Sequence, residues 1–267
     1  MELTYFPGCT LKTHASHLEA PALAAMKALG YELVELPRWN CCGVVQPLAE
    51  DDVMGLLAPA RLLIRAQQTG RSRLLTLCSM CYNTLARTNL LLARDREKLD
   101  TINRFMDEEP DYAGEVEVVH LLSFLHRELG WNKLRSMVKK PLNHLTLAAY
   151  YGCKLQRPAE VGIEPPGRYD LLKGFLESLG ARVVRFSAAD LCCGSYQSLG
   201  HPDAANRVSG EILDRARRDG AEALVLSCPL CEYNLSLAAA RQNGSEPGIP
   251  LYYFTELLAA ALGVDRT

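Results

Sequence analysis

Ten cysteines carry the chemistry of this 267-residue chain: Cys9, Cys41, Cys42, Cys78, Cys81, Cys153, Cys192, Cys193, Cys228 and Cys231. They form two sets of five with one plan: a single cysteine, a Cys-Cys-Gly triplet and a Cys-x-x-Cys pair. In the first set 31 residues separate Cys9 from Cys41 and 35 separate Cys42 from Cys78; in the second the gaps are 38 and 34. Matching cysteines lie 144 to 151 residues apart and none falls outside the two sets, so a large unit is duplicated rather than a short solenoid repeat. Flanking residues repeat too. Tyr5-Phe6-Pro7-Gly8-Cys9 matches Tyr150-Tyr151-Gly152-Cys153, and Leu77-Cys78-Ser79-Met80-Cys81 matches Ser227-Cys228-Pro229-Leu230-Cys231.

Thiolates bind metal, and four of them suffice for structural zinc or an ordinary cubane cluster. Five per set is one more than either needs and points to a larger or irregular iron–sulfur centre. Zinc in one half, or reactive thiols without metal, are the alternatives, and a metal that only staples the fold is a further one. A thioredoxin-like reading of Cys-x-x-Cys leaves the Cys-Cys-Gly triplets unexplained.

The cysteines must be brought together by the elements between them. Apolar runs and glycine punctuation predict strands at Leu3–Phe6, Glu32–Leu36, Arg73–Leu77 and Val116–Val119. Helices are expected at His14–Leu29, Asp51–Gln68, Met80–Arg94 (continuing less clearly towards Phe105) and Leu121–Leu129. The second half repeats the plan, with strands Leu145–Tyr150, Arg182–Phe186, Ala223–Leu226 and Leu251–Phe254, helices Asp170–Leu179 and Ala204–Arg218, and a final helix. Strand–helix alternation implies an α/β fold of two pseudo-symmetric tandem domains, 1–140 and 141–267, each a small parallel sheet flanked by helices. Every cysteine group then follows a strand C-terminal end, the edge where open α/β sheets bind ligands. Each Cys-x-x-Cys opens a helix, whose N-terminal dipole favours thiolate. Gly43 and Gly194 allow tight turns beside the paired cysteines.

Composition narrows the function. With 48% apolar and 22% charged residues the chain is ordinary for a globular protein, and a net charge of −2 without a basic block argues against nucleic-acid binding. No apolar run approaches the ~18–20 residues of a membrane span, and the N-terminus does not read as a signal peptide, so a cytoplasmic location and no integral membrane segment are expected. No G-x-G-x-x-G follows a strand, so no flavin or nicotinamide site is expected and electrons must come from another protein. Among the six histidines, His14 and His17 follow Cys9, and His201 follows the second triplet; these are the candidate proton donors. Lys154 and Arg157, just after Cys153, are candidates for binding a carboxylate or phosphate of a substrate. Asn83 and Asn234, just beyond the Cys-x-x-Cys pairs, are expected to hold backbone. Trp39 and Met80 are expected to exclude water.

The two five-cysteine sets, spanning nearly the whole chain, resemble the CCG-domain proteins, specifically the B-type subunits of heterodisulfide reductases. Both intact Cys-x-x-Cys pairs favour that branch over lactate-utilisation relatives. The resemblance implies two non-cubane [4Fe–4S] clusters, one held by Cys9, Cys41, Cys42, Cys78 and Cys81, the other by Cys153, Cys192, Cys193, Cys228 and Cys231. It implies cleavage, or the reverse formation, of a small-molecule disulfide between the clusters. Electrons would arrive from a C-type iron–sulfur subunit fed by a flavin-containing A-type subunit. A non-catalytic electron-transfer subunit of a larger dehydrogenase or of a sulfur-oxidising complex is the rival reading.

Overall fold

A computed structural model describes residues 1–44, 53–242 and 248–264. The first half contains strands β1 (Glu2–Phe6), β2 (Glu32–Glu35), β3 (Arg73–Thr76) and β4 (Glu117–His120). Its helices are α1 (Glu19–Ala28), α2 (Met54–Gln68), α3 (Ser79–Arg94), α4 (Arg96–Phe105), α5 (Leu121–Phe124) and α6 (Trp131–Met137). The second half contains β5 (Thr146–Ala149), β6 (Arg182–Val184), β7 (Ala223–Leu226) and β8 (Leu251–Tyr253), with α7 (Asp170–Ser178), α8 (Pro202–Arg218), α9 (Pro229–Gln242) and α10 (Phe254–Leu262). All pairings are parallel, in the orders β2-β1-β3-β4 and β6-β5-β7-β8. The expected α/β architecture of two small parallel sheets flanked by helices is therefore present. The central strands β5 and β7 are wholly buried, which is why they read as continuous apolar runs.

Several boundaries differ from the pattern-based expectation. The helix expected from His14 begins at Glu19; before it the chain takes two 3₁₀ turns, Thr10–Lys12 and Ser16–Leu18. Leu11, Ala15 and Leu18 are nevertheless buried, so a path of tight turns presents the same three-to-four-residue apolar spacing as a helix. The helix expected at Asp51 is seen from Met54, and residues 51 and 52 lie outside the described residues. The extension towards Phe105 is a separate helix, because Asp95 turns to an extended backbone and caps the Lys98 N–H at 3.0 Å. Only Leu121–Phe124 of the next predicted helix is α; Leu125–Leu129 is a π turn ending at Gly130.

The two halves pack through exchanged helices. In each half the helix after the first strand lies against a helix from the end of the other half: α1 contacts α10, and α7 contacts α5. Trp131 of α6 meets Phe175 of α7 edge-on at 5.9 Å. One buried apolar cluster runs through both sheets. Among the described residues no helix is long and apolar enough to cross a membrane.

Candidate metal centres

Parallel strands deliver every cysteine group to a sheet end, and the sulfurs meet there in strings. In the first set Cys9 Sγ lies 3.9 Å from Cys41 Sγ. Cys41 and Cys42, Cys42 and Cys81, and Cys81 and Cys78 are near enough to shift one another's ionisation. In the second set Cys193 Sγ lies 3.3 Å from Cys231 Sγ, and Cys153 and Cys192, and Cys231 and Cys228, are near enough to shift one another's ionisation. The strings come together at Cys78 and Cys228, whose thiols shift one another's ionisation. Cys9, Cys41 and Cys192 are exposed and Cys153 is half-buried, whereas the other six are buried. Each string therefore opens to solvent at one end and is closed at the Cys-x-x-Cys end.

Local contacts fix the strings. Gly8 and Gly152, before the first cysteine of each set, have positive φ and pass close to the last cysteine, Cys81 or Cys231. Gly43 and Gly194, also at positive φ, let the triplets lie directly on α2 and α8. Asn40 ties the first triplet to α2 through the Cys41 and Ala58 carbonyls. Ser209 of α8 and Asn234 of α9 both donate to the Cys193 carbonyl, at 2.9 and 3.2 Å. Tyr150 donates to the Leu191 carbonyl at 2.7 Å, just ahead of the second triplet.

Adjoining thiols cannot all ionise, because each negative sulfur opposes the next. Hydrogen bonds from Cys42 and Cys9 hold Cys41 well below the ordinary thiol range, while its bond to Cys41 pushes Cys42 up to about 12. Donation from Cys228 and then Cys81 lowers Cys78 despite its burial. Donation from Cys153 brings Cys192 down to about 6, helped by the nearby Arg157 and Lys154 charges. The first string thus sets the lowered thiols Cys41 and Cys78 among the raised Cys9, Cys42 and Cys81, and the second sets the lowered Cys192 beside the raised Cys153. A bound cationic metal core would take the place of the protons on the raised thiols. Among the described residues no three His, Cys, Asp or Glu side chains converge as the ligands of a single metal ion do. An all-thiol, extended donor set suits a multi-iron cluster better than one zinc ion.

The other expected residues divide. His14, His17 and His201 are on the surface, and among the described residues no hydrogen bond joins their imidazoles to a cysteine. His14 and His17 occupy the outer side of the 3₁₀ path whose apolar residues turn inward. Lys154 is half-buried with its ammonium 5.1 Å from the centroid of the Tyr196 ring. Arg157 is exposed and donates to the Asp190 carbonyl. Asn83 reaches across from the first half to the Lys154 and Arg157 carbonyls, at 2.9 and 2.8 Å. Met80 accepts a long contact from Tyr196 OH at 3.7 Å, and Trp39 donates to Glu35 while packing edge-on against Phe6. A cavity of 840 Å³ between β6 and the start of α7 contains no cysteine and stands apart from this chemistry.

Sequence reasoning passed over a buried group at the junction of the strings. Ser79, Ser227, His120 and Tyr253 hydrogen-bond one another's chain segments across the two halves. Its one visible signal is a histidine that ends β4 directly after the apolar pair Val118 and Val119.

Comparison with known proteins agrees with this geometry. The cysteine-rich domain family CCG matches residues 3–86 and 147–236, the segments that carry the two sets. The 8-methylmenaquinol:fumarate reductase membrane anchor subunit of Wolinella succinogenes is 33% identical, over 98% of this chain and 93% of its own length. The B-type subunit of the ferredoxin/F420H2-dependent CoB-CoM heterodisulfide reductase of Methanosarcina acetivorans is 30% identical, over 98% and 89%. A crystal structure of a hypothetical protein from Helicobacter pylori shares the fold, with a TM-score of 0.77 at 16% identity, over 98% of this chain and 49% of that one. The chain belongs to the cysteine-rich CCG domain family and is a relative of the B-type subunits of heterodisulfide reductases.

Proposed function

We propose that this chain is the iron–sulfur subunit of a heterodisulfide reductase-like complex, built from domains 1–140 and 141–267, that cleaves or forms a disulfide of small thiols. The carrying observation is the pair of five-thiol strings that meet at Cys78 and Cys228. Cys9, Cys41, Cys42, Cys78 and Cys81 would hold one [4Fe–4S] cluster of non-cubane form, and Cys153, Cys192, Cys193, Cys228 and Cys231 the other. When bound, these clusters supply the two electrons that disulfide reduction takes. The exposed ends at Cys9, Cys41 and Cys192 leave room for a substrate to approach. Lys154 and Arg157 flank Cys192 and orient an anionic group of the substrate. Two protons are also needed, and His14, His17 and His201 are the candidate carriers from solvent. A C-type subunit supplied by a flavin-containing A-type subunit is the proposed electron source, in the cytoplasm.

The test is anaerobic purification, iron and sulfide analysis, and EPR during addition of thiols and disulfides. Iron with a thiol-dependent signal supports the proposal; stoichiometric zinc without iron sinks it. The fumarate reductase relative, at 33% identity, favours a second reading as an electron-transfer subunit of a larger reductase. Iron whose signal ignores every thiol supports that reading instead.

A further inference from the structure

The carbonyls of Leu77 and Ser227 immediately precede Cys78 and Cys228, the first residues of the two Cys-x-x-Cys turns. Both are buried, so each needs a donor. Leu77 O receives the Tyr253 hydroxyl at 2.7 Å and pairs with His120 Nε2 at 3.1 Å. Ser227 O receives the Ser79 N–H at 3.1 Å and the Ser79 hydroxyl at 2.7 Å, and it lies close enough to the His120 ring to act on its charge. His120 Nδ1 accepts the Leu122 N–H at 3.3 Å, which leaves the ring proton on Nε2, the side facing the two carbonyls. The imidazole is fully buried between the rings of Tyr82 and Phe254, at 5.9 and 5.7 Å. His120 ends β4 and Tyr253 ends β8, the matching strands of the two sheets.

We infer that His120 is a positioning residue that locks the two Cys-x-x-Cys turns at one spacing, so that the two metal centres load as one unit. Leu77 O takes one donor from each half, His120 and Tyr253, and Ser79 of the first half holds Ser227 O of the second, so sliding either turn breaks hydrogen bonds to a buried carbonyl. A centre formed in one half thereby holds the other half's turn in its loaded position, and the second centre forms at a smaller ordering cost. The inference rests on the iron–sulfur reading.

The experiment titrates the full-length metal-free chain anaerobically with iron and sulfide and counts centres per chain by native mass spectrometry. A coupling of about 100-fold leaves roughly a tenth of chains singly loaded at half saturation, against about half for independent sites. The wild type is expected near the lower share. His120→Phe moves it towards half, and His120→Gln, which keeps a donor near the Nε2 position, restores it. Tyr253→Phe removes one donor from Leu77 O while leaving His120, and gives an intermediate share; it carries the test if His120→Phe fails to fold. Equal shares in wild type and Tyr253→Phe together with either His120→Phe unchanged or unfolded, or a wild type already half singly loaded, overturn the inference alone. A wild type that takes up no iron overturns the iron–sulfur reading and the inference with it.

Discussion

Gly8 and Gly152 occupy the same place in the two sets, yet alanine there has different consequences. Gly8 has φ +75° and Gly152 has φ +62°, so an alanine at either position enters the left-handed region at a cost of about 1–2 kcal/mol. A Cβ on Gly152 stands 3.5 Å from Cys231 Sγ, an ordinary contact. A Cβ on Gly8 stands 2.8 Å from Cys81 Sγ, so the sulfur must swing away. Leaving its rotamer well adds only ~0.5–1.5 kcal/mol, but it takes a proposed ligand out of the first centre. Urea unfolding of the metal-free chain should therefore show modest and similar losses for Gly8→Ala and Gly152→Ala. At saturating iron and sulfide, Gly8→Ala should hold half the wild-type iron and lose one EPR signal, while Gly152→Ala keeps both. Full iron in Gly8→Ala, or equal loss in both variants, would refute the ligand role drawn for Cys81.

Four further outcomes are expected. Gly194→Ala places a Cβ 2.8 Å from the Ala205 backbone at φ +82°, where nothing flexible can yield, and should cost ~2–5 kcal/mol in urea unfolding; Gly43→Ala, whose contacts at 3.2 Å are side-chain atoms, should cost less. Cys193→Ser should abolish one EPR signal and retain the other at saturating iron, and survival of both would contradict two five-thiol sites. Burial holds His120 at about 4, below its ordinary 6.5. The unfolded chain therefore binds a proton that the folded chain refuses between those values. That contribution is intact above pH 6.5 and fades as pH falls towards 4, by up to about 3 kcal/mol, and His120→Gln should flatten this part of the stability profile in urea titrations. Lys154→Ala should raise KM for an anionic thiol or disulfide substrate several-fold with little change in kcat, and no change for a neutral analogue.

Much of the fold was legible because its signals are local. Parallel strands buried on both faces read as short apolar runs, so Ala223–Leu226 was found to the residue and the other strands to within one or two. The cysteine groups were placed at strand ends by counting one strand–helix–strand excursion between them. Signals that depend on the meeting of distant segments were not legible. Nothing near Asp95 distinguishes its cap from one more helical residue until Lys98 folds back on it. Nothing in the spacing of Cys78 and Cys228 says that the two strings touch, because that follows from how the two sheets face one another. The exposure of His14 and His17 was hidden for a related reason: 3₁₀ turns and an α-helix share an apolar spacing but aim intervening side chains differently. Lys154 reads as a solvated charge beside Cys153, and only the fold lays Tyr196 beneath it.

Duplication of the thiols has not carried duplication of the charges around them. Near the first set, Lys12 is neutralised by Glu19 at 2.9 Å and Glu35 at 2.7 Å, and the anionic Cys41 owes its low pKa to thiols and backbone N–H groups. Near the second set, Lys154 has no carboxylate partner among the described residues, and both it and Arg157 act on Cys192. Half-burial strengthens that field, because less water screens it. The two strings are thus similar as ligand sets and unlike as environments for a substrate. On the proposed reaction, a disulfide joining two different thiols would meet a cationic wall on one side and a neutralised one on the other. Its more anionic arm would be drawn to the second set, and the first set would receive the less charged sulfur. Symmetry of the thiol sets with electrostatic asymmetry around them would then let the proposed site cut a bond between unlike halves in a single orientation.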